Sequence, residues 1–235
     1  MVVVQKGPTC GIYAFLNGIR TLFSLNKLTS DEMDKIVLML LNKNELTYGN
    51  KDEKGKTFVG EFFTVGDFLV FLENNYDYII KEIHKVTEQK ISFNVEECSI
   101  KNLNNSMEGL FICSISPKKL TFIKRLWLPW AKWDRNKNVL HWVSFLSTND
   151  DEFNVMDSRY KEKQRIKKEE ILSKHNDLNG KKYYWRKFNR KTSGKDKIDE
   201  FLCCKMPQKK YFIKYKVLKD VEYQTGKLIR IQKND

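Results

Sequence analysis

Apolar residues recur at every third or fourth position in the first third of the chain, a spacing that is typical of amphipathic helices. The first such run starts at Cys10, directly after Thr9, a residue type that often caps a helix. A second run follows Thr29 or Ser30, and a third follows Thr64. The pattern therefore predicts three helices, with Cys10 in the first turn of the first one.

Beyond these helices the pattern changes to short apolar runs separated by turn residues, which is typical of strands. An isoleucine-rich run over 79–86 is predicted to be a strand. Further strands are predicted over 110–115, 139–147, 153–157, 210–218 and 228–232, and a charged helix is predicted over 161–174. The second half of the chain is therefore predicted to be rich in β-structure.

Two of these strands form a predicted hairpin, because the turn residues 149–151 lie between them. With a turn centred near Asn149, residues whose numbers sum to about 298 face each other. That register places His141 opposite Asp157, close enough for a hydrogen bond between imidazole and carboxylate. A slip of one residue would separate them.

The position of Cys10 points to chemistry at its sulfur. Gly7 and Pro8 before it are residue types that favour turns, and the unpaired N–H groups of a helix N-terminus favour thiolate over thiol. Gly11 leaves room for another chain to approach, and the Gln5 side chain offers an N–H donor for an oxyanion. The competing interpretation is a buried cysteine that only fills space.

Charge is unevenly distributed along the 235 residues. The chain from Arg159 onward has 24 Lys and Arg against 10 Asp and Glu, whereas the first 158 residues have 19 against 20. The basic final third is predicted to attract an acidic partner, a nucleic acid or an anionic surface, unless it is only a solvated lysine-rich face. Either way, 41% hydrophobic residues are enough for a sizeable core.

Composition also bears on compartment and cofactors. The sequence has no signal peptide and no run long enough to cross a membrane, so a cytoplasmic location is expected, with delivery to another compartment or cell left open. Five cysteines without paired spacing indicate neither a disulfide framework nor a zinc site. We expect no metal and no cofactor. His84 and His175 lie among charged residues and are predicted to be on the surface.

Four positions together resemble a papain-like cysteine peptidase: Gln5, the Gly-Pro-Thr-Cys-Gly turn with Cys10, His141 and Asp157. The order of Gln, Cys, His and Asp is most similar to the compact bacterial peptidases related to double-glycine leader peptidases. By this resemblance Cys10 is the nucleophile, His141 the general base and acid, Asp157 the residue that orients the imidazole, and Gln5 the oxyanion residue. Substrate contacts are assigned to Gly11 and to Trp142.

The resemblance also implies a fold and a reaction. The fold is α+β, with residues 1–110 as a mainly helical lobe that carries the cysteine. Residues 111–235 form a mainly β lobe that carries His141 and Asp157, with a basic extension from about residue 159. All of it is one catalytic domain. The implied reaction is hydrolysis of a peptide or amide bond in a peptide or protein substrate, through a thioester on the cysteine.

Two alternatives stay open. A transglutaminase-like acyltransferase would use the same residue order and pass the acyl group to an amine. A module that binds nucleic acid or an acidic partner would use the aromatic and basic strip Tyr183, Tyr184, Trp185, Arg186, Lys187, Arg190 and Lys191. A member of the thiol-enzyme class that has lost its activity is a further possibility.

Overall fold

The structure is a computed structural model of the chain. It describes residues 1–6, 9–43, 62, 64–103, 108–116, 140–148, 152–180, 182–183, 221–223 and 225–234. Four of the sequence-based predictions concern segments outside these residues: the turn at 7–8, the hairpin turn at 149–151, the strand at 210–218 and most of the aromatic and basic strip. The fold below is that of the described residues.

The described part of the chain contains five α-helices and eight strands. The helices are α1 (Cys10–Leu22), α2 (Ser30–Lys43), α3 (Val65–Asn74), α4 (Tyr76–Thr87) and α5 (Lys168–Asn176). The strands are β1 (Phe93–Ser99), β2 (Leu110–Ile115), β3 (His141–Ser147), β4 (Glu152–Met156), β5 (Gln164–Lys167), β6 (Lys182–Tyr183), β7 (Val221–Glu222) and β8 (Lys227–Lys233). The α+β class is therefore confirmed.

Six of the strands form one sheet in the order β1-β8-β2-β3-β4-β5, and every neighbouring pair is antiparallel. A separate pair joins β6 to β7. The last long strand, β8, lies between β1 and β2. The C-terminal strand therefore lies inside the sheet, with a neighbour on each side.

Helices cover both faces of the sheet. Side chains alternate between the two faces along each strand, and each face packs in its own apolar cluster. Trp142, Ile112 and Ile229 belong to the apolar cluster that includes α1. Their neighbours Val143 and Phe111 belong to a second cluster that includes Ile171 of α5. A strand with both faces buried has few exposed residues, and the first five residues of β3 are all buried. The sheet is thus the middle layer of the fold.

The predicted helix starts are largely confirmed. Cys10 is the first residue of α1, and Thr64 caps α3 by accepting a hydrogen bond from the Asp67 amide at 3.0 Å. Thr29 accepts a longer bond of 3.4 Å from the Glu32 amide at the start of α2. Thr9 precedes α1 as predicted but makes no side-chain cap.

The strand predicted over 79–86 is wrong, since this run is part of α4. Ile79 and Ile83 are buried and lie four residues apart, which puts them on one face of a helix. Glu88 ends the helix in a left-handed conformation. Burial of this apolar face outweighs the preference of isoleucine for strands.

The charged segment after residue 160 was only partly predicted. Instead of one helix over 161–174, it forms β5 and then the shorter α5. His175, predicted to be exposed, is fully buried at the end of α5. Its Nδ1 atom lies 2.8 Å from the Ser114 carbonyl oxygen, and its Nε2 atom accepts a hydrogen bond from the Gly226 amide at 2.9 Å. His84 is exposed, as predicted.

Among the described residues, no helix is both long and apolar enough to cross a bilayer.

Candidate active site

His141 and Asp157 form a buried hydrogen-bonded pair at one end of the β3–β4 hairpin. The distance from His141 Nε2 to Asp157 Oδ1 is 2.8 Å, and the two residues are 5% and 2% exposed. His141 is the first residue of β3, and Asp157 directly follows β4. The predicted contact between these two residues is therefore present.

The predicted register was wrong by two residues. Phe145 pairs with Val155 and Ser144 with Met156, so facing residues sum to 300 rather than 298. His141 and Asp157 are therefore not directly opposite each other. A shift of two residues keeps both side chains on the same face of the sheet, because side chains alternate with a period of two. The hydrogen bond survives for that reason.

Arg159 is a third member of this cluster that the sequence analysis did not identify. Its Nε atom lies 3.0 Å from both carboxylate oxygens of Asp157, its Nη2 atom lies 2.5 Å from Oδ2, and its amide lies 3.0 Å from Oδ1. The signal available in the sequence was an Asp and an Arg two residues apart after a strand. That spacing alone is too common to indicate an ion pair.

These contacts set the charge of Asp157. Burial alone would raise the pKa of this carboxyl group, but the hydrogen bonds from His141 and Arg159 outweigh burial and hold the pKa well below its ordinary value. Asp157 is therefore ionised at neutral pH. An ionised carboxylate only accepts hydrogen bonds, so His141 carries a proton on Nε2 and presents Nδ1 as its second ring nitrogen.

The N-terminal segment runs beside the residues that follow Asp157. The Gln5 amide donates to the Ser158 carbonyl oxygen at 2.9 Å, and the Ser158 hydroxyl donates to Gln5 Oε1 at 2.6 Å. The Val2 amide donates to the Lys161 carbonyl oxygen at 2.6 Å. These bonds bring Gln5 next to Asp157 in space and fix the orientation of its side-chain amide.

Cys10 begins α1 and is 3% exposed. The Thr9 hydroxyl does not cap this helix, because it donates to the Lys6 carbonyl oxygen at 2.5 Å instead. Burial alone would lower the pKa of Arg159, but Asp157 raises it, and Cys10 adds a smaller contribution in the same direction. The sulfur therefore lies within electrostatic reach of the guanidinium that holds Asp157.

Polar contacts with α1 and α2 anchor the segment just before Cys10. Lys6 Nζ lies 2.5 Å from Asp34 Oδ2, and the Tyr13 hydroxyl donates to the other oxygen of the same carboxylate. The Asn17 side chain bonds both the amide and the carbonyl of Val3, at 2.7 and 2.9 Å. Helices α1 and α2 thus hold the N-terminal segment at two places.

The two predicted substrate contacts, Gly11 and Trp142, are both buried. A methyl group on Gly11 would lie 2.8 Å from the Phe62 ring, so the space beside this glycine is already filled. Trp142 is 0% exposed, and its indole N–H donates to the Phe62 carbonyl oxygen at 2.9 Å. Gly11 and Trp142 instead pack with the Phe62 and Phe68 rings beneath the site.

The other described cysteines are poor nucleophiles. Burial raises the pKa of the Cys113 thiol to about 12, and burial with nearby Glu96 raises that of Cys98 to about 11. Within the described residues, no group of three or more His, Cys, Asp or Glu side chains is placed to hold a metal ion. Cys203 and Cys204 lie outside the described residues.

Comparisons with protein-family models, with curated proteins and with solved structures found no match to this chain. Its function is therefore inferred from the chemistry of the site.

Proposed function

We propose that this protein is a cysteine peptidase, or a closely related amidase, that forms a thioester on Cys10. The observation that carries the proposal is the buried 2.8 Å contact between His141 Nε2 and the ionised Asp157. Fixing Nε2 in this way makes Nδ1 the basic nitrogen of the imidazole. A cysteine at the start of a helix is the second element of a thiol-based site, and Cys10 occupies that position.

In the proposed reaction His141 Nδ1 accepts the proton of the Cys10 thiol. The thiolate attacks the carbonyl carbon of the scissile amide, and the tetrahedral intermediate collapses to a thioester as the amine leaves with the proton from His141. Water then attacks the thioester, with the same nitrogen as general base. This step releases the carboxylic acid and restores the thiol.

Gln5 has the proposed role of oxyanion donor. Its Oε1 atom accepts the Ser158 hydroxyl, which turns the amide nitrogen toward the opposite side of the side chain. The backbone N–H groups at the start of α1 would supply the other donors. The papain-like architecture is part of the same proposal, supported by a cysteine-bearing helix that packs against an antiparallel sheet.

The test is the rate at which iodoacetamide alkylates Cys10, measured against pH. Cys203 and Cys204 are replaced by serine, and Cys98 and Cys113 by alanine, so that only one sulfur reacts. We expect alkylation to persist well below pH 8.5, about where an ordinary free thiol titrates. In His141→Ala this reactivity at low pH should disappear, because the imidazolium that stabilises the thiolate is gone.

His84→Ala is the matched control, since it removes an exposed histidine outside the site. It should leave the profile unchanged. A Cys10 that reacts only as an ordinary thiol, or that reacts equally with and without His141, would refute the proposal. Adding an amine acceptor to the acylated enzyme then separates a hydrolase from an acyltransferase.

A further inference from the structure

A cleft of about 340 Å³ lies next to the candidate site. It is bordered by the turn after Asp157, by β5 and by α5. Arg159 connects the two places, because its side chain bonds Asp157 and also lines the cleft. The cleft therefore borders the ion pair between Arg159 and Asp157.

The cleft has an excess of positive charge. Among the described residues it is lined by the basic side chains of Arg159, Arg165 and Lys174 and by one acidic side chain, that of Glu170. Lys174 and Glu170 pair with each other at 2.7 Å. Arg159 is paired with Asp157.

Arg165 differs from the other two basic residues of the cleft. It makes no ion pair with any residue that the structure describes, and it is exposed on β5. A guanidinium group presents a planar set of N–H donors that matches a carboxylate. Gln164, its neighbour on β5, adds a neutral amide donor at the same cleft.

One wall of the cleft is aromatic. Tyr160 is 46% exposed, and its ring lies 5.3 Å from the Arg159 guanidinium carbon. A ring in this position can contact the methylene groups of a side chain whose end reaches Arg165. The cleft is thus mainly polar, with one exposed aromatic ring near the Arg165 cation.

We propose that this cleft binds a carboxylate of the substrate, either an acidic side chain or the carboxyl terminus of a peptide. The catalytic part of this statement rests on the function proposed above, whereas binding by the cleft does not. A carboxylate would pair with Arg165, which a neutral group cannot do, so the cleft would bind acidic peptides more tightly than neutral ones.

The binding test uses Cys10→Ala, which cannot form a thioester, and three probes of nearly equal shape. N-acetylglutamate α-amide has only the side-chain carboxylate, N-acetylglutamine has only the terminal one, and N-acetylglutamine α-amide has neither. The arginine side-chain Nε–H signals are followed by NMR at constant ionic strength. We expect the Arg165 signal to move with one or both acids and not with the neutral amide.

The two acids also identify the source of the carboxylate. Movement with N-acetylglutamate α-amide alone indicates an acidic side chain, and movement with N-acetylglutamine alone indicates a peptide terminus. Equal small movements with all three probes, or none at tens of millimolar, overturn the cleft proposal. In Arg165→Gln the Arg159 Nε–H signal, which reports on the same cleft, should not respond to the acids. Lys90→Gln, which removes an exposed lysine outside the cleft, should respond as Cys10→Ala does.

A kinetic test follows once an acidic peptide substrate is found. Arg165→Gln should raise KM for that peptide by about tenfold, which corresponds to the loss of one charged hydrogen bond. For the same peptide with glutamine in place of glutamate, KM should hardly change. If Arg165→Gln raises KM equally for both peptides, the cleft does not distinguish acidic from neutral side chains.

The failures of the two proposals are distinguishable. If the probes bind but Cys10 reacts as an ordinary thiol, the cleft proposal is supported and the peptidase proposal is refuted. If Cys10 is activated but the probes do not bind, the reverse holds.

Discussion

At the scale of single residues, the Asp157 carboxylate is the acceptor that two other side chains share. His141 and Arg159 both bond this carboxylate, and Arg159 makes the larger number of contacts. Cys10 is among the groups that raise the pKa of Arg159, and by the same interaction the guanidinium favours a thiolate over a thiol at Cys10. In the proposed site, we expect Arg159 to position Asp157 and to help ionise Cys10.

Replacing Arg159 by glutamine should move the alkylation profile of Cys10 to higher pH. Without the guanidinium the thiolate loses a favourable charge and forms at higher pH. We expect the alkylation profile to move up by about one pH unit, the usual effect of one nearby charge. The measurement is iodoacetamide alkylation between pH 4 and 10.

Lys161→Gln is the control for this experiment, because it removes an exposed positive charge two residues further along the chain. Its profile should match that of the parent. If Arg159 has only a structural role, its replacement will lower the alkylation rate or the stability without moving the profile along the pH axis. That result would contradict an electrostatic effect of Arg159 on Cys10.

At the scale of elements, α1 can lie close to the sheet because it has glycine where it meets β2. A methyl group on Gly18 would lie 2.4 Å from a methyl carbon of Leu110, which is fully buried in β2. A methyl group on Gly66 in α3 would meet nothing within 4 Å. The same substitution therefore has opposite consequences in the two helices.

Gly18→Ala should lower the free energy of unfolding by about 1–3 kcal/mol through overpacking. Gly66→Ala should raise it by up to about 1 kcal/mol, because alanine is the better helix former. Urea denaturation followed by circular dichroism measures both values. If Gly18→Ala were as stable as the parent, α1 would not pack against β2 as closely as the structure indicates.

A second link between elements depends on pH. His175 of α5 connects β2 through Ser114 with the turn before β8 through Gly226, and its ring meets the edge of Tyr223. Burial lowers the pKa of His175, partly opposed by its bond to the Ser114 carbonyl oxygen. In the folded state it therefore stays neutral at pH values where the unfolded chain binds a proton. Folding stability should fall as pH drops below about 6.5.

His175→Gln should remove this contribution to the pH dependence. The variant should be less stable than the parent at pH 7.5, since it loses a buried hydrogen bond, and the difference should shrink toward pH 5. His84→Gln, at an exposed position, should follow the parent across this range. The measurement is the urea midpoint of the parent and both variants at steps of half a pH unit. A constant difference between His175→Gln and the parent would mean that His175 does not titrate differently on unfolding.

At the scale of the whole molecule, the sequence predicted those features that depend on local spacing. Cys10 at the start of α1 and the contact between His141 and Asp157 follow from periods of 3.6 and 2. The contact between His141 and Asp157 is present despite the two-residue error in the predicted register. A shift by an even number of residues leaves each side chain on the same face of the sheet. The run that forms α4 was predicted to be a strand because isoleucine is common in strands and also occurs in helices. Arg159 and His175 depend on how distant segments meet, which local spacing does not specify.

The position of β8 is the clearest case of such a non-local feature. This strand forms antiparallel ladders with β1 on one side and β2 on the other, although more than a hundred residues separate it from either in the sequence. Leu228, Ile229 and Ile231 are fully buried and contribute to both apolar clusters. The sheet that carries His141 should therefore not be stable without the last residues of the chain.

A chain that ends at Gly226 should lack a cooperative unfolding transition, because its loss of β8 removes two ladders and three core side chains at once. A chain that ends at Lys233 keeps all of β8 and is the matched control, with only a small loss from the bonds of Asn234 to Ser92. Urea unfolding of both, followed by tryptophan fluorescence and circular dichroism, provides the comparison. If the shorter chain unfolds cooperatively with the same dependence on urea concentration as the control, β8 is peripheral and its assigned place in the sheet is wrong.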